Sequence, residues 1–200
     1  MKETVSCFKP FYDENSKILI LGTIPSTAGV NYNFYYTSDK NEFWPLMKIV
    51  FNVDFVSLVN DYRKHFNTEK ESEYKEKFLN EIRKNNIALF DTVKTCTRHG
   101  SLDSDIEIQE LNSKESILEI LRGSKIKKIF CTSDKAMSNL KKIFGGSKLA
   151  KKSLCEAMNL IIDEEPFVKL FSPSPTPIRY KCFTIEERVE NWKQILKYIR

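Results

Sequence analysis

The sequence predicts an α/β fold: a three-layer α/β/α sandwich with a central, mostly parallel four-stranded sheet. Four short apolar runs of strand length occur at residues 17–22, 86–90, 126–131 and 167–171. Helical patterns separate these runs, and such alternation is typical of parallel sheets that are covered on both faces. A chain of 200 residues fits one domain, so we expect residues 1–200 to form a single domain.

The first strand is predicted by residues 17–22, a continuous apolar run that is closed by Gly22. Such a run suits a strand buried on both faces, and the other three runs have the same character. In parallel sheets of this kind, ligands bind beyond the carboxyl ends of the strands. We therefore expect the functional residues in the segments that directly follow the runs.

Helices are predicted at residues 71–84, 113–121 and 134–144, each with apolar side chains on one face. The last of these is followed by Gly145 and Gly146, which suit a helix C-terminus. A closing helix begins at a capping box formed by Thr184 and Glu187. Its apolar residues follow at helical spacing, at Ile185, Val189, Trp192, Leu196 and Ile199.

Composition excludes several classes of protein. Hydrophobic residues make up 41% of the chain and aromatic residues 12%, which is far too much for a disordered protein. No apolar run approaches the ~20 residues that a membrane helix requires. The first residues lack the cationic start and the apolar stretch of a signal peptide, so we expect a cytoplasmic protein without a membrane partner.

The sequence does not indicate a metal or a cofactor. Its five cysteines are scattered and form no Cys-x-x-Cys pair, and two histidines, His65 and His99, cannot make a metal site by themselves. We expect reduced thiols, no metal, no cofactor and a monomer. The net charge of +5 is compatible with a polyanion such as DNA, but many unrelated proteins share it.

Turns rich in small residues follow the predicted strands, together with aromatic and polar segments. They are Gly22-Thr23-Ile24-Pro25-Ser26, Phe34-Tyr35-Tyr36, Asn41-Glu42-Phe43-Trp44, Asp91 with Thr97-Arg98-His99-Gly100-Ser101-Leu102-Asp103-Ser104, and Ser172-Pro173-Ser174-Pro175-Thr176-Pro177. In this order they resemble the uracil-DNA glycosylase superfamily, most closely its hypoxanthine/uracil branch, often called family six. The resemblance implies a uracil-DNA glycosylase-like fold and a monofunctional glycosylase that removes uracil or hypoxanthine flipped out of DNA, leaving an abasic site.

The resemblance also implies a base pocket. Tyr36 occupies the position that the family uses for stacking, although Tyr35 and Tyr36 could both be core aromatics. Adjacent residues of an extended chain point opposite ways, so we expect one ring to pack while the other faces the pocket. Asp91 stands where the family reads the base, and it could alternatively cap the next segment. Thr23 and Ile24 complete the pocket with their backbone N–H groups.

The catalytic residue implied by the resemblance is Asn41. Much of the superfamily positions the attacking water with Asp or Asn in the first turn, where this chain has Ile24. In the hypoxanthine branch Asn41 takes over, which suits a dissociative transition state that needs little nucleophilic push. The alternative is structural, because Asn41 precedes a helical run with Pro45 in its first turn, a typical N-cap setting.

A second catalytic position is apolar. Where the best-known branch has a histidine donor before the last loop, this chain has Leu170. Backbone N–H groups around Thr23, Ile24 and Ser172 would then have to stabilise the departing base. Loss of one such donor typically costs ~10²–10³ in rate, so we expect a slow enzyme.

Contacts to the DNA strand are expected from six residues. They are Ser26, Arg98, Ser172, Ser174, Thr176 and Arg179. The serines of the last loop suit the flanking phosphates, and Thr176, Ile178 or Arg179 suits a wedge in the gap left by the flipped base. The loop could alternatively be a rigid surface turn, and Arg98 could form a structural ion pair with Asp103.

Two other functions are compatible with parts of this pattern. A damaged-DNA-binding protein with the same fold and little or no activity would account for the apolar residues Ile24 and Leu170. A nucleotide- or cofactor-binding α/β protein is disfavoured, because neither the dinucleotide-binding nor the P-loop glycine motif is present. After the third strand, Ser133 is expected to cap the next helix, and the role of Thr132 is left open.

Overall fold

A computed structural model describes residues 3–98, 106–161, 164–174 and 183–199. Its strands are β1 (Glu3–Ser6), β2 (Ile18–Gly22), β3 (Ile87–Asp91), β4 (Val93–Arg98), β5 (Ile106–Leu111), β6 (Lys128–Cys131) and β7 (Phe167–Lys169). Four of them form a sheet in the order β3-β2-β6-β7, with parallel pairing throughout. Each lies within or next to a predicted apolar run, so the predicted fold class is confirmed.

The helices cover both faces of this sheet. They are α1 (Thr27–Val30), α2 (Phe43–Phe51), α3 (Phe55–His65), α4 (Glu71–Lys84), α5 (Lys114–Arg122), α6 (Asp134–Ile143), α7 (Ser147–Met158), α8 (Ile185–Trp192) and α9 (Leu196–Ile199). The predicted caps are present: Ser133 accepts a hydrogen bond from the Ala136 N–H, and Thr184 and Glu187 form the capping box. Among the described residues, no helix is both long enough and apolar enough to cross a membrane.

A second sheet was not predicted. It has three antiparallel strands in the order β1-β4-β5. Its last strand alternates buried or half-buried apolar residues with exposed polar ones, so it lacks the continuous apolar run of the central strands. Thr97 and Arg98, which we expected in a turn, are the last residues of β4.

The core is divided by the central sheet. Ile20, Leu89 and Phe130 lie in one cluster with side chains of α2, α3, α4 and α8. The intervening strand residues lie in a second cluster with α5, α6 and α7. Because side chains alternate along a strand, the residues two positions after Ile20, Leu89 and Phe130 face the first side again. These residues are Gly22, Asp91 and Thr132.

Candidate functional site

Three neighbouring strands bring Gly22, Asp91 and Thr132 to one edge of the sheet. Gly22 lies beside Asp91 in the register, and Thr132 directly follows β6. The Tyr36 hydroxyl lies 3.4 Å from Thr132 Oγ1. A Cβ atom added to Gly22 would lie 2.6 Å from that hydroxyl and 2.4 Å from Asp91 Oδ1. The side chains of Tyr36, Asp91 and Thr132 therefore converge on the space above Gly22.

The backbone at Tyr36 directs its ring to this space. Tyr36 has a φ of 55°, in the left-handed region that a tyrosine rarely adopts. Tyr35, in contrast, is buried in the core, and its hydroxyl donates to the Lys9 carbonyl over 3.0 Å. The two rings point apart as expected, but the backbone is not extended as we assumed. The left-handed conformation at Tyr36 directs its ring toward the strand ends.

A second ring supports Tyr36. The Phe43 ring, at the start of α2, stacks on Tyr36 with 3.9 Å between centroids and 2° between planes. One face of Tyr36 is thus covered. Phe43 is fully buried and also contacts Trp44 and Trp192 edge-on, so the stack is anchored in the core. The sequence motif contains Phe43, but we assigned it no role.

Asp91 is a buried carboxyl group with an unsatisfied oxygen. Its side chain is 3% exposed, and its Oδ2 atom has no hydrogen-bond partner among the residues that the structure describes. Burial raises the pKa of Asp91 to about 8, because it disfavours the charged form. The carboxyl group is therefore mostly neutral at pH 7. A buried polar atom without a partner is rare in proteins and suggests a functional role or an additional ligand.

Asp91→Asn is expected to stabilise the protein increasingly as the pH rises. The pKa of Asp91 is about 8 in the folded state, against about 3.9 when unfolded. Between these values the folded state binds more protons, so the stability of the wild type falls with rising pH by up to ~1.4 kcal/mol per pH unit. Asparagine stays neutral and avoids this loss.

The measurement is the free energy of unfolding in urea for both proteins from pH 5 to pH 9. The difference between them is expected to grow up to about pH 8, the folded-state pKa, and then to level off. A difference that stays constant from pH 5 to pH 8 would show that the carboxyl group of Asp91 is already ionised in the folded protein.

Asn41 lies next to the stack of Tyr36 and Phe43. Its Oδ1 atom accepts a hydrogen bond from the Phe43 N–H over 2.9 Å, and its own N–H donates to the Ser38 carbonyl. The N-cap of α2 is Glu42, one residue later than the sequence suggested, and its side chain makes no capping bond. Asn41 thus supplies the hydrogen bond that holds the start of α2. The side chain also carries the Nδ2 amide group, which is a hydrogen-bond donor.

Arg63 holds the segment between Tyr36 and Asn41. Its Nε atom donates to the Thr37 carbonyl over 2.7 Å, and its Nη2 atom donates to the Ser38 carbonyl over 2.9 Å. Arg63 belongs to α3 and is remote in sequence from the carbonyls it binds. The motif gave no signal for it.

The loop after β7 is tied to the Asn41 segment. The Glu42 N–H donates to the Pro173 carbonyl over 3.0 Å, and the Glu42 carboxylate pairs with Arg188 of α8. The same helix holds the loop from its other side, because Trp192 Nε1 donates to the Phe171 carbonyl over 2.9 Å. These bonds bring two segments far apart in sequence to one place.

Within this loop, Ser172 and Ser174 are half-buried, and the Ser174 N–H donates to Ser172 Oγ over 3.2 Å. The preceding Leu170 is 1% exposed and belongs to the core. It offers no polar group to the site. Thr176, Ile178 and Arg179 lie outside the described residues.

The first turn is fixed from several directions. Thr23 is buried, and its Oγ1 atom lies 3.0 Å from Ser133 Oγ. The Ile24 side chain packs on the antiparallel sheet, and Ser26 Oγ caps α1. Arg98 is 4% exposed and donates to the Pro25 carbonyl over 2.9 Å. This burial favours a structural role for Arg98 in the turn over a direct phosphate contact.

A cavity of about 390 Å³ lies on the other face of the sheet. It is lined by residues that include Cys7, Phe90 and Asn112, and none of the groups at the strand ends contributes to it. The Asp91 carboxyl group itself is buried at the other side of the sheet. No group of three or more His, Cys, Asp or Glu residues in the described ranges could hold a metal ion.

No family model matches the chain, but two curated proteins do. The hypoxanthine DNA glycosylase of Methanosarcina barkeri is 30% identical over 105 residues, which are 52% of this chain and 57% of that protein. The hypoxanthine DNA glycosylase of Methanosarcina acetivorans is 30% identical over 114 residues, which are 57% of this chain and 63% of that protein. The chain thus spans less than two thirds of either relative.

The fold is matched over its whole length. A solution NMR structure from Methanosarcina acetivorans, described provisionally as a uracil DNA glycosylase, aligns with a TM-score of 0.65 at 23% identity. The alignment covers 98% of this chain and 99% of that structure. The chain thus has the fold of that structure, and over about half of its length it is similar to two proteins named hypoxanthine DNA glycosylase.

Proposed function

We propose that the protein is a monofunctional DNA glycosylase, which hydrolyses the N-glycosidic bond of uracil or hypoxanthine flipped out of DNA. It acts as a cytoplasmic monomer without metal or cofactor. The observation that carries this proposal is the convergence of Asp91, Tyr36 and Thr132 above Gly22, with a buried carboxyl oxygen that lacks a partner. The two relatives named hypoxanthine DNA glycosylase agree with it.

A flipped base needs a flat surface and polar groups that read its edge. Tyr36 supplies the surface with the face that Phe43 leaves uncovered. Asp91 and Thr132 supply the polar groups, since both lie at the hydroxyl end of the Tyr36 ring. Thr23 and Ile24 add the backbone N–H groups of the first turn.

Asn41 orients the attacking water. In the reaction the bond between C1′ and the base nitrogen breaks, and its electron pair leaves with the base. Water forms the new bond to C1′ and releases a proton, and the base takes up a proton, so the products are a neutral base and an abasic deoxyribose. Such a transition state is dissociative, so a positioned amide is sufficient for the water. Arg63 is a positioning residue for this segment.

The DNA backbone is contacted by the loops around the pocket. We assign phosphate contacts to Ser172 and Ser174, which are half-buried, and to Ser26 at the end of the first turn. The wedge that fills the gap in the duplex is assigned to Thr176, Ile178 or Arg179, as the sequence predicts. Arg98 is not needed as a phosphate contact, because it braces the first turn.

The test is a panel of oligonucleotides that carry uracil, hypoxanthine or xanthine, single-stranded and paired with each normal base. Wild-type protein is expected to create abasic sites, detected by alkaline strand cleavage, in at least one of the uracil and hypoxanthine substrates. Undamaged DNA of the same sequence serves as the control. If no substrate is cleaved but damaged DNA is bound in a salt-dependent manner, the protein is the alternative, a binder of damaged DNA.

A further inference from the structure

We propose that Asp91 acts in its neutral, protonated form, as the hydrogen-bond donor to a carbonyl oxygen of the departing base. This inference rests on the proposed function and names the group that stabilises the leaving base. The need for such a group follows from the end of β7, where the apolar Leu170 is buried in the core. A donor therefore has to come from one of the other strand ends.

The place of Asp91 fits this role. It is the last residue of β3, and its Oδ1 atom lies above Gly22 beside the Tyr36 hydroxyl. Its Oδ2 atom is buried without a hydrogen-bond partner among the described residues. A carboxylate in such a place would be strongly disfavoured, whereas a neutral acid loses far less on burial. The neutral carboxyl group of Asp91 therefore suits an uncharged ligand that forms hydrogen bonds with it.

The surroundings keep the acid neutral. Among the described residues, the titratable groups near it are Tyr35 and Tyr36 from one segment and Cys7 from the chain between β1 and β2. Burial raises the pKa of Tyr35 and of Cys7, and the charge of an ionised Asp91 would raise both further. A phenol or a thiol cannot carry a positive charge, so none of these three groups favours the ionised form of Asp91. Burial is the cause that raises the pKa of Asp91 to about 8.

A neutral carboxyl group matches the edge of a deaminated base. Uracil and hypoxanthine both present an N–H next to a C=O. A carboxylic acid pairs with both, because its O–H donates to the C=O while its own C=O accepts from the N–H. A carboxylate accepts from the N–H only and places a negative charge beside the carbonyl oxygen of the base.

The same bond grows stronger during the reaction. When the bond to C1′ breaks, its electron pair delocalises into the base, and negative charge builds up on the carbonyl oxygen. A fixed O–H donor in a site without water stabilises this charge more than it stabilises the substrate, which is what lowers the barrier. A neutral carboxylic acid in an apolar pocket is an established type of donor for such oxyanions.

The test compares wild type with Asp91→Asn and Asp91→Ala in single-turnover base release from pH 5.5 to 9.5, on the best substrate of the panel. The wild-type rate is expected to be level at low pH and to fall about tenfold per unit above about pH 8. The amide of Asp91→Asn keeps a donor and an acceptor, so its rate is expected within about tenfold of wild type at pH 7 and without the fall at high pH. Asp91→Ala loses about 100- to 1000-fold.

A second readout does not depend on activity. Infrared spectra at pH 6.5 are expected to contain the C=O band of a protonated carboxylic acid that is missing in Asp91→Asn. Urea unfolding of all three proteins identifies a variant that fails to fold. If Asp91→Ala does not fold, the proposal is tested by the comparison of Asp91→Asn with the wild type.

The outcomes separate the two proposals. Base release that rises through pH 8, or an Asp91→Asn variant as inactive as Asp91→Ala, overturns the neutral donor and leaves the glycosylase standing. A wild type that releases no base from any substrate contradicts the proposed function itself. In that case the infrared band still reports whether Asp91 is protonated, and its absence overturns the inference independently.

Discussion

Asn41→Ala is expected to lower the single-turnover rate of base release about 100- to 1000-fold while affinity for damaged DNA changes by less than about tenfold. The reason is that we propose Asn41 to orient the water, an interaction that matters in the transition state and adds little to binding. Its place supports this, because Asn41 Oδ1 is fixed by the Phe43 N–H, directly beside the stack with Tyr36.

The competing explanation is that Asn41 only holds the start of α2. Loss of that bond would cost about 1 kcal/mol of stability and leave the rate of the folded protein nearly unchanged. Asn80→Ala is the matched control, because Asn80 is exposed on α4. Equal rates for the two variants, measured in gel assays on folded protein, would show that Asn41 is structural.

Gly22→Ala is expected to lower base release at least about 100-fold, because the added methyl group enters the space on which the site converges. Its Cβ would lie 2.4 Å from Asp91 Oδ1 and 2.6 Å from the Tyr36 hydroxyl, closer than real contacts allow. Both groups have to shift, and displacement of reacting groups by ~1 Å costs about 100-fold in rate. Overpacking of this kind also costs about 1–3 kcal/mol of stability.

Gly123→Ala is the control for this variant. The Cβ there would meet the Glu119 carbonyl oxygen and the Tyr12 ring at 3.2 Å, at the end of α5 and far in the fold from the strand ends. We expect wild-type rates for Gly123→Ala. Base release by Gly22→Ala at a rate close to that of Gly123→Ala would show that the space above Gly22 is not used.

Much of the fold could be predicted because the central strands are buried on both faces. Continuous apolar runs then mark them, and the strands at 18–22 and 87–91 lie within one residue of the predicted runs at 17–22 and 86–90. The helix Glu71–Lys84 has the predicted bounds, since its charged face and its apolar face both have helical spacing. Local physics was sufficient for these elements.

The antiparallel sheet could not be predicted from the same signal. Its strand β5 has exposed charged positions, and β4 begins only two residues after β3 ends. The sequence indicates only the approximate start of helix α2, through Asn41 and Pro45. Its first residue, Phe43, is held by the stack with Tyr36. The bounds of these elements depend on packing between separate segments of the chain.

The candidate site shows the same division. Tyr36, Asn41 and Asp91 belong to sequence motifs, and the structure brings Tyr36 and Asp91 to one point with Asn41 beside the stacked ring. Thr132 carried a signal that was not used, because it stands two residues after Phe130 and so faces the same side as Asp91. Arg63 had no signal, since its hydrogen bonds to a distant loop depend on the folded structure.

The central claim is that the three strand ends above Gly22 form the place where a deaminated base is cut from DNA. The most direct measurement is mass spectrometry of the small molecules released from DNA that contains deoxyuridine or deoxyinosine. We predict free uracil or free hypoxanthine, equal in amount to the abasic sites, from the wild type, and at least about 100-fold slower release from Gly22→Ala. Release of no free base by the wild type, or equal release by both proteins, would contradict this account.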